Sequence, residues 1–337
     1  MKTMRYISFI LIAFSASLSF GQTWTWQAND YYKAQNYEQA KIAIDSAIGT
    51  AERYDSQTWQ LRGLIYRNLD GSNQLYNSEI AIESFVRAKK VDSTNVYTAK
   101  INEYIKNTLI KNYYNVSVRL LLEDKNFEKS EEFYTIYKKH YLALIDPMYS
   151  FKSSDVDYYN TVAVQYITKV DFAEPSKKSA LREKAIENCA KVLAIDSLDY
   201  KANFNMGIIY YNLGADYIMI ADPEISVEEL MMNQKRAEDS FLKALPLLNN
   251  ADRIQPGTME VYEGLMGCYY GLNNDELYLK YQILVDKHYL PIYLEQFKNQ
   301  PKDIENIKTL IRIYTYTIVN QDEANRLRTI INELQNE

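Results

Sequence analysis

Glycine and proline are scarce, at 10 and 7 residues in a chain of 337. Glycine at about 3%, against a usual level of about 7%, is too little for a β-sandwich, a doubly wound nucleotide-binding fold or a long disordered tail. Two cysteines and two histidines leave little material for a disulfide framework, a metal cluster or His-dependent catalysis. Basic charge is short as well: 38 Lys and Arg against 44 Asp and Glu give a net charge of −6, without the basic footprint of a nucleic-acid binder. No Gly-rich phosphate loop, GxSxG or HExxH is present. The chain therefore reads as a non-enzyme with no cofactor and no metal, and its expected partner is protein rather than nucleic acid. A catalytic carboxylate pair stays open as an alternative because acidic residues are plentiful, although no two are marked out by spacing.

Long apolar runs are confined to the start. Lys2 and Arg5 precede an apolar segment from Ile7 to Phe20, and Ser19 and Gly21 supply small residues at −3 and −1 of a cleavage point. That is the pattern of a secretory signal peptide over residues 1–21. The run is shorter than the roughly 18–20 residues of a spanning helix, so the alternative, an uncleaved anchor, fits less well. The mature chain is expected to begin at Gln22, exported to the periplasm or beyond, with no transmembrane segment. An oxidising destination permits disulfides. Cys189 and Cys268, however, lie in helical patterns belonging to non-neighbouring units and are expected to be buried free thiols.

What is abundant is repetition. Four segments share an Ala-rich helical pattern: NYEQAKIAIDSAI, SEIAIESFVRAKKVDS, REKAIENCAKVLAIDS and QKRAEDSFLKALPLL. Upstream lie helices with a large residue, a small one four later and Tyr three beyond: Trp24/Ala28/Tyr31, Trp59/Gly63/Tyr66 and Tyr159/Ala163/Tyr166. Spacings of 4 and 3 place each trio on one helical face, with the small residue admitting a neighbouring helix. One such hairpin cannot bury its apolar face alone, so neighbours must stack. Asn95 to Glu123, without Gly or Pro, predicts a single helix of about 29 residues, the alternative being two helices meeting near Lys111-Asn112. Pro246 falls inside a helical pattern and is expected to kink or break it. Gly264, Gly267 and Gly271 sit on a helix in packing roles, while His140 and His288 are expected at surface or capping positions near helix ends.

This constellation resembles the tetratricopeptide repeat, a helix–turn–helix unit. The first unit matches without a gap at Trp24, Ala28, Tyr31, Ala40, Ile44 and Ala47. Later units read Trp59, Gly63, Tyr66, Ala81, Phe85 and Ala88; then Tyr114, Val118, Leu121, Ser130, Tyr134 and Tyr137; then Tyr159, Ala163, Tyr166, Ala185, Cys189 and Val192. The fifth reads Asn203, Gly207, Tyr210, Ala237, Phe241 and Ala244, and the sixth Glu263, Gly267, Tyr270, Leu279 and Ile283. The second, fourth and fifth carry insertions, the fourth around Glu174-Pro175-Ser176. The resemblance implies an all-α, right-handed solenoid of antiparallel helix pairs, six to seven repeats over residues 22–300, capped by a helical pair at 301–337. The run from Ala202 to Gln255 resembles exported tetratricopeptide proteins of Gram-negative bacteria, and family members of this kind act as scaffolds and adaptors.

The same resemblance implies a concave groove lined by the first helix of each repeat. Carried onto this chain, the groove residues are Asn29, Lys33, Arg67, Asn68, Asn112, Asn115, Arg119, Asn160, Lys201, Asn205 and Asn212. Seven of the 36 positions so carried over six repeats are Asn, where 27 Asn in 337 residues would supply about 2.9 by chance. A carboxamide offers donor and acceptor together, which suits the backbone of an extended peptide. The basic members suit an acidic segment or a C-terminal carboxylate. Two further readings stay open: a structural subunit of an envelope or secretion complex, and a glycan binder that uses exposed aromatics such as Trp26 among the 31 Tyr and 3 Trp.

Overall fold

The computed structural model describes residues 23–70, 75, 77–219 and 225–336. The leader expected over 1–21 lies outside them. Every regular element among the described residues is helical. They divide into two compact units at Ser150/Phe151, a boundary inside the 22–300 segment that the sequence treats as one array.

In the first unit, α1 (Trp24–Lys33) pairs with α2 (Tyr37–Ala47), and α3 (Ser56–Leu69) with α4 (Ser78–Val91). One continuous helical stretch follows: α5 (Thr98–Tyr104), a π-helical segment (Ile105–Ile110) and α6 (Lys111–Leu122), which pairs with α7 (Phe127–Leu144). The single long helix expected from Asn95 thus forms, starting at Thr98. Asn95 itself takes a left-handed φ of 56°, and the Asp92 carboxylate holds the turn by accepting from Thr94 Oγ1 and the Tyr97 N–H.

In the second unit, α8 (Lys152–Asp171) pairs with α9 (Pro175–Ile195), α10 (Tyr200–Ile218) with α11 (Val227–Ile254), and α12 (Met259–Gly271) with α13 (Asp275–Asn299). The last pair joins α14 (Ile304–Arg312), with its π turn at Ile313–Thr317, to α15 (Gln321–Asn336). Each unit is a stack of antiparallel helix pairs of tetratricopeptide-like type. Helix α11 runs through Pro246 without breaking. The missing N–H frees the carbonyl of Leu242, one turn back on the same exposed side, where it is open to solvent.

The pairs close at small residues. Ala28, Gly63, Ala163 and Gly207 are all buried. At Gly63 a Cβ would lie 2.5 Å from the Phe85 ring, so the absence of a side chain is what seats α4 on α3. In the third pair the contact is Ser117 against Ser130, each hydroxyl donating to the other's carbonyl at 2.8 Å. That moves the contact one residue from the expected Val118, because the α6–α7 turn is one residue longer than the α1–α2 turn. In the fifth pair, Phe241 packs on Gly214 rather than Gly207, whose partner is Leu248. Both helices are long enough to repeat the contact two turns apart. In the sixth, Tyr270 and Leu279 are exposed while Tyr281 and Val285 are buried. Gly264 and Gly267 face Ile208, Leu248 and Tyr211 of the preceding pair, and Gly271 faces Phe241.

Four turns share one construction. Gln35, Lys125, Asn273 and Val319 adopt φ of 54–59°, and each is followed by an Asn whose Oδ1 accepts an N–H three residues on. Asn36, Asn126, Asn274 and Asn320 thereby cap α2, α7, α13 and α15. These are the pairs without the long insertions of the second, fourth and fifth. The last pair is tied down by Asp286, which is 2% exposed. It accepts from both terminal nitrogens of Arg312 at 2.8 and 2.7 Å, from Thr317 Oγ1 at 2.6 Å and from Gln282 Nε2 at 2.7 Å.

Two stability changes follow. Gly63→Leu forces a side chain into the Phe85 ring and is expected to cost on the order of 1–3 kcal/mol in denaturant unfolding. Val319, β-branched in the left-handed region, is strained, so Val319→Asn is expected to raise the midpoint of thermal unfolding by relieving roughly 0.5–1 kcal/mol.

Candidate partner-binding surfaces

The expected groove residues divide between the two units. In the first, Lys33, Asn68 and Asn115 are exposed, and Arg67, Asn112 and Arg119 are half-buried. Asn68 Nδ2 donates to the Leu64 carbonyl at 2.8 Å and to the Tyr32 hydroxyl of α1 at 3.3 Å. Burial pushes the Tyr104 hydroxyl up to about 12, and the Arg67 charge draws it partly back. Arg119 Nε lies 3.6 Å from Asp124. Asn29 is 8% exposed, one turn from Thr25, whose hydroxyl meets that of Thr58 on α3, so it is buried rather than open to a partner.

In the second unit, Asn160 is buried at 6% exposure. Its Nδ2 donates to Asp199 Oδ1 at 3.1 Å, and the same oxygen accepts the Ala202 N–H at 2.7 Å to cap α10. Asn160 therefore pins α8 to the start of α10 and is not a groove residue. Lys201 and Asn212 are exposed and Asn205 is half-buried. Spacings of 4 and 7 put these three on one face of α10, continued by Asp216 one turn beyond Asn212.

Beside this stripe lies a crevice of about 100 Å³ between α8, α9 and α10. Ile167, Val170, Ala185 and Ile209 form its apolar lining, and Asp171, Lys178, Arg182 and Asn212 supply polar groups. Arg182 Nη2 donates to Asp216 at 2.6 Å, which fixes the guanidinium over the stripe. Lys178 and Arg182 were not among the expected residues. The signal for them was the insertion around Pro175, which starts α9 early with Pro in its first turn. Those added turns carry both cations. A larger open depression of about 330 Å³ runs along α13 past Pro291, Ile292, Glu295, Gln296 and Asn299.

His140 departs from expectation. It is 8% exposed, with Nε2 2.7 Å from Glu79 Oε1, the oxygen that also accepts from the Tyr113 hydroxyl at 2.9 Å. The hydrogen bond to His140 holds the Glu79 carboxyl below its ordinary range. Burial, with the Glu79 charge added, drives the Tyr113 hydroxyl up. This group joins α4, α6 and α7 of the first unit, with His140 and Tyr113 buried and the Glu79 carboxylate on the exposed side. Cys189 and Cys268 are buried and unbridged, and burial pushes both thiols up to about 12. Among the described residues, no three of His, Cys, Asp or Glu converge at metal-binding spacing, and no helix is long and apolar enough to cross a membrane.

No family model matches the chain, and no curated protein matches it. Among solved structures, a tetratricopeptide-repeat protein of Bacteroides fragilis shares 19% identity at a TM-score of 0.38, over 75% of this chain and 96% of that one. A monomeric mutant of IFIT1 with Gppp-AAAA shares 13% over 92% of this chain and 80% of that one, at a TM-score of 0.32. The human IFIT1 dimer with m7Gppp-AAAA shares 12% over 93% and 81%, at 0.31. At these scores the likenesses carry no argument about function. The tetratricopeptide-like character of the fold rests on the chain's own helix pairs and on the small residues at which they close.

Proposed function

We propose that the protein is a non-catalytic, exported interaction scaffold that binds an extended segment of a protein partner along α10. The observation that carries this reading is the accessible stripe of Lys201, Asn205 and Asn212 beside a crevice flanked by Lys178 and Arg182. Carboxamides supply paired donors and acceptors for a peptide backbone, the apolar lining accepts a small aliphatic side chain, and Lys178 and Lys201 favour an acidic neighbour. In the first unit, Lys33, Arg67, Asn68, Asn112, Asn115 and Arg119 form a second polar surface of the same chemical kind. Export rests on the n-region, apolar run and small-residue cleavage point of residues 1–21.

Each neutral hydrogen bond contributes about 0.5–1.5 kcal/mol net, so recognition requires several together. Replacing Asn205 and Asn212 together by Ala is expected to weaken binding to peptides selected from an immobilised peptide library by roughly tenfold, with helicity and melting temperature unchanged. Undiminished binding would reject the α10 stripe as the site. Mass measurement of the protein recovered from its native envelope fraction is expected to give a chain beginning at Gln22; an intact leader in that fraction would reject cleavage.

A further inference from the structure

The tip of the α10–α11 hairpin exposes more large apolar surface than a solvated helix end requires. Ile218 and Met219 close α10 at 50% and 78% exposure, and Val227, Leu230, Met231 and Met232 open α11 at 73%, 45%, 64% and 53%. Adjacent exposed apolar groups of this kind mark interaction surfaces, and the flexible Met side chain suits an adaptable contact.

The pattern of α11 identifies the occupant. Its buried face carries Asn233, Ala237, Ser240, Phe241 and Ala244. At about 100° per residue the opposite face carries Glu228, Met231, Met232 and Lys235, spaced i, i+3, i+4 and i+7. Two methionines are thus bracketed by opposite charges. Glu228 and Lys235 are both exposed, and neither takes part in a hydrogen bond or ion pair recorded among the described residues.

Such a stripe is complementary to itself. A two-fold axis between Met231 and Met232 sets a second copy of α11 antiparallel to the first, methionine on methionine. It brings Glu228 of each copy to Lys235 of the other. Parallel packing would instead oppose Glu228 to Glu228 and Lys235 to Lys235. We infer that this face is a homodimer contact, with antiparallel α11 helices joined through Met231 and Met232 and oriented by two Glu228–Lys235 pairs.

Two helices meeting over a few turns bury less than the roughly 1,200 Å² of a standard stable interface. The dimer is accordingly weak, with a dissociation constant above about 1 μM, the range of transient contacts. This inference does not depend on the α10 peptide site, which lies on another helix face.

Sedimentation equilibrium of the purified protein over a concentration series tests it. A monomer–dimer equilibrium is expected. Glu228→Lys and Lys235→Glu should each weaken it by about tenfold, because each replaces two attractive pairs by two repulsive ones. Mixing the two variants, or combining both changes in one chain, should restore association, since the pairs then re-form with reversed sign. A protein monomeric up to its solubility limit overturns the inference, as does a dimer indifferent to either charge change or not rescued by mixing. Vesicles of phosphatidylcholine distinguish the remaining occupant: a monomeric protein that binds them through Met231 and Met232, and loses binding in Met231→Glu/Met232→Glu, would assign the tip to a lipid surface instead.

Discussion

The structure depends on how closely two paired helices approach at one residue. Where that residue is Gly63, the Phe85 ring occupies the volume of an absent side chain. Where it is Ser117, its hydroxyl and that of Ser130 tie the two backbones together. The apolar positions on either side are buried only because this approach is close, since packing attraction falls steeply with small gaps. Hairpins of this kind stack because each leaves a second apolar face uncovered. Gly264 and Gly267 show the next level of the same rule, admitting Leu248 and Tyr211 from the preceding pair.

The helix pairs were legible in the sequence wherever the turn is short. Ala28, Ala40, Ile44 and Ala47 are buried as their spacing requires, and so are Ala163, Ala185, Cys189 and Val192 in the fourth pair despite its insertion. Register failed where local geometry adds length that composition does not announce. One extra turn residue moves the third contact from Val118 to Ser117. In the fifth pair, Gly207 and Gly214 are two turns apart on the same face, so both satisfy the pattern and only the packing of Phe241 separates them. The sixth pair misled because its three glycines serve the neighbouring pair rather than their own.

Asparagine shows why the binding surface was harder to read than the fold. The residue that suits a peptide backbone is equally suited to helix ends. Asn36, Asn126, Asn274 and Asn320 cap helices, and Asn160 and Asn203 secure the start of α10, the latter donating to the Ser197 and Asp199 carbonyls. An excess of Asn on first helices therefore mixes structural and accessible members, and sequence spacing does not distinguish them. His140 was misplaced for a related reason: its partner Glu79 lies 61 residues away, beyond the reach of any local pattern.

The buried cysteines have a consequence for where such a chain can work. Burial pushes both thiols up to about 12, away from the thiolate, which is the form that reacts. Neither sulfur is reached by small oxidants without opening a helix pair, and no bridge joins them for a reductant to cut. Folding energy here comes from helix packing and capped turns, which carry no electrons. The stability of the fold is thus decoupled from the redox poise of its surroundings.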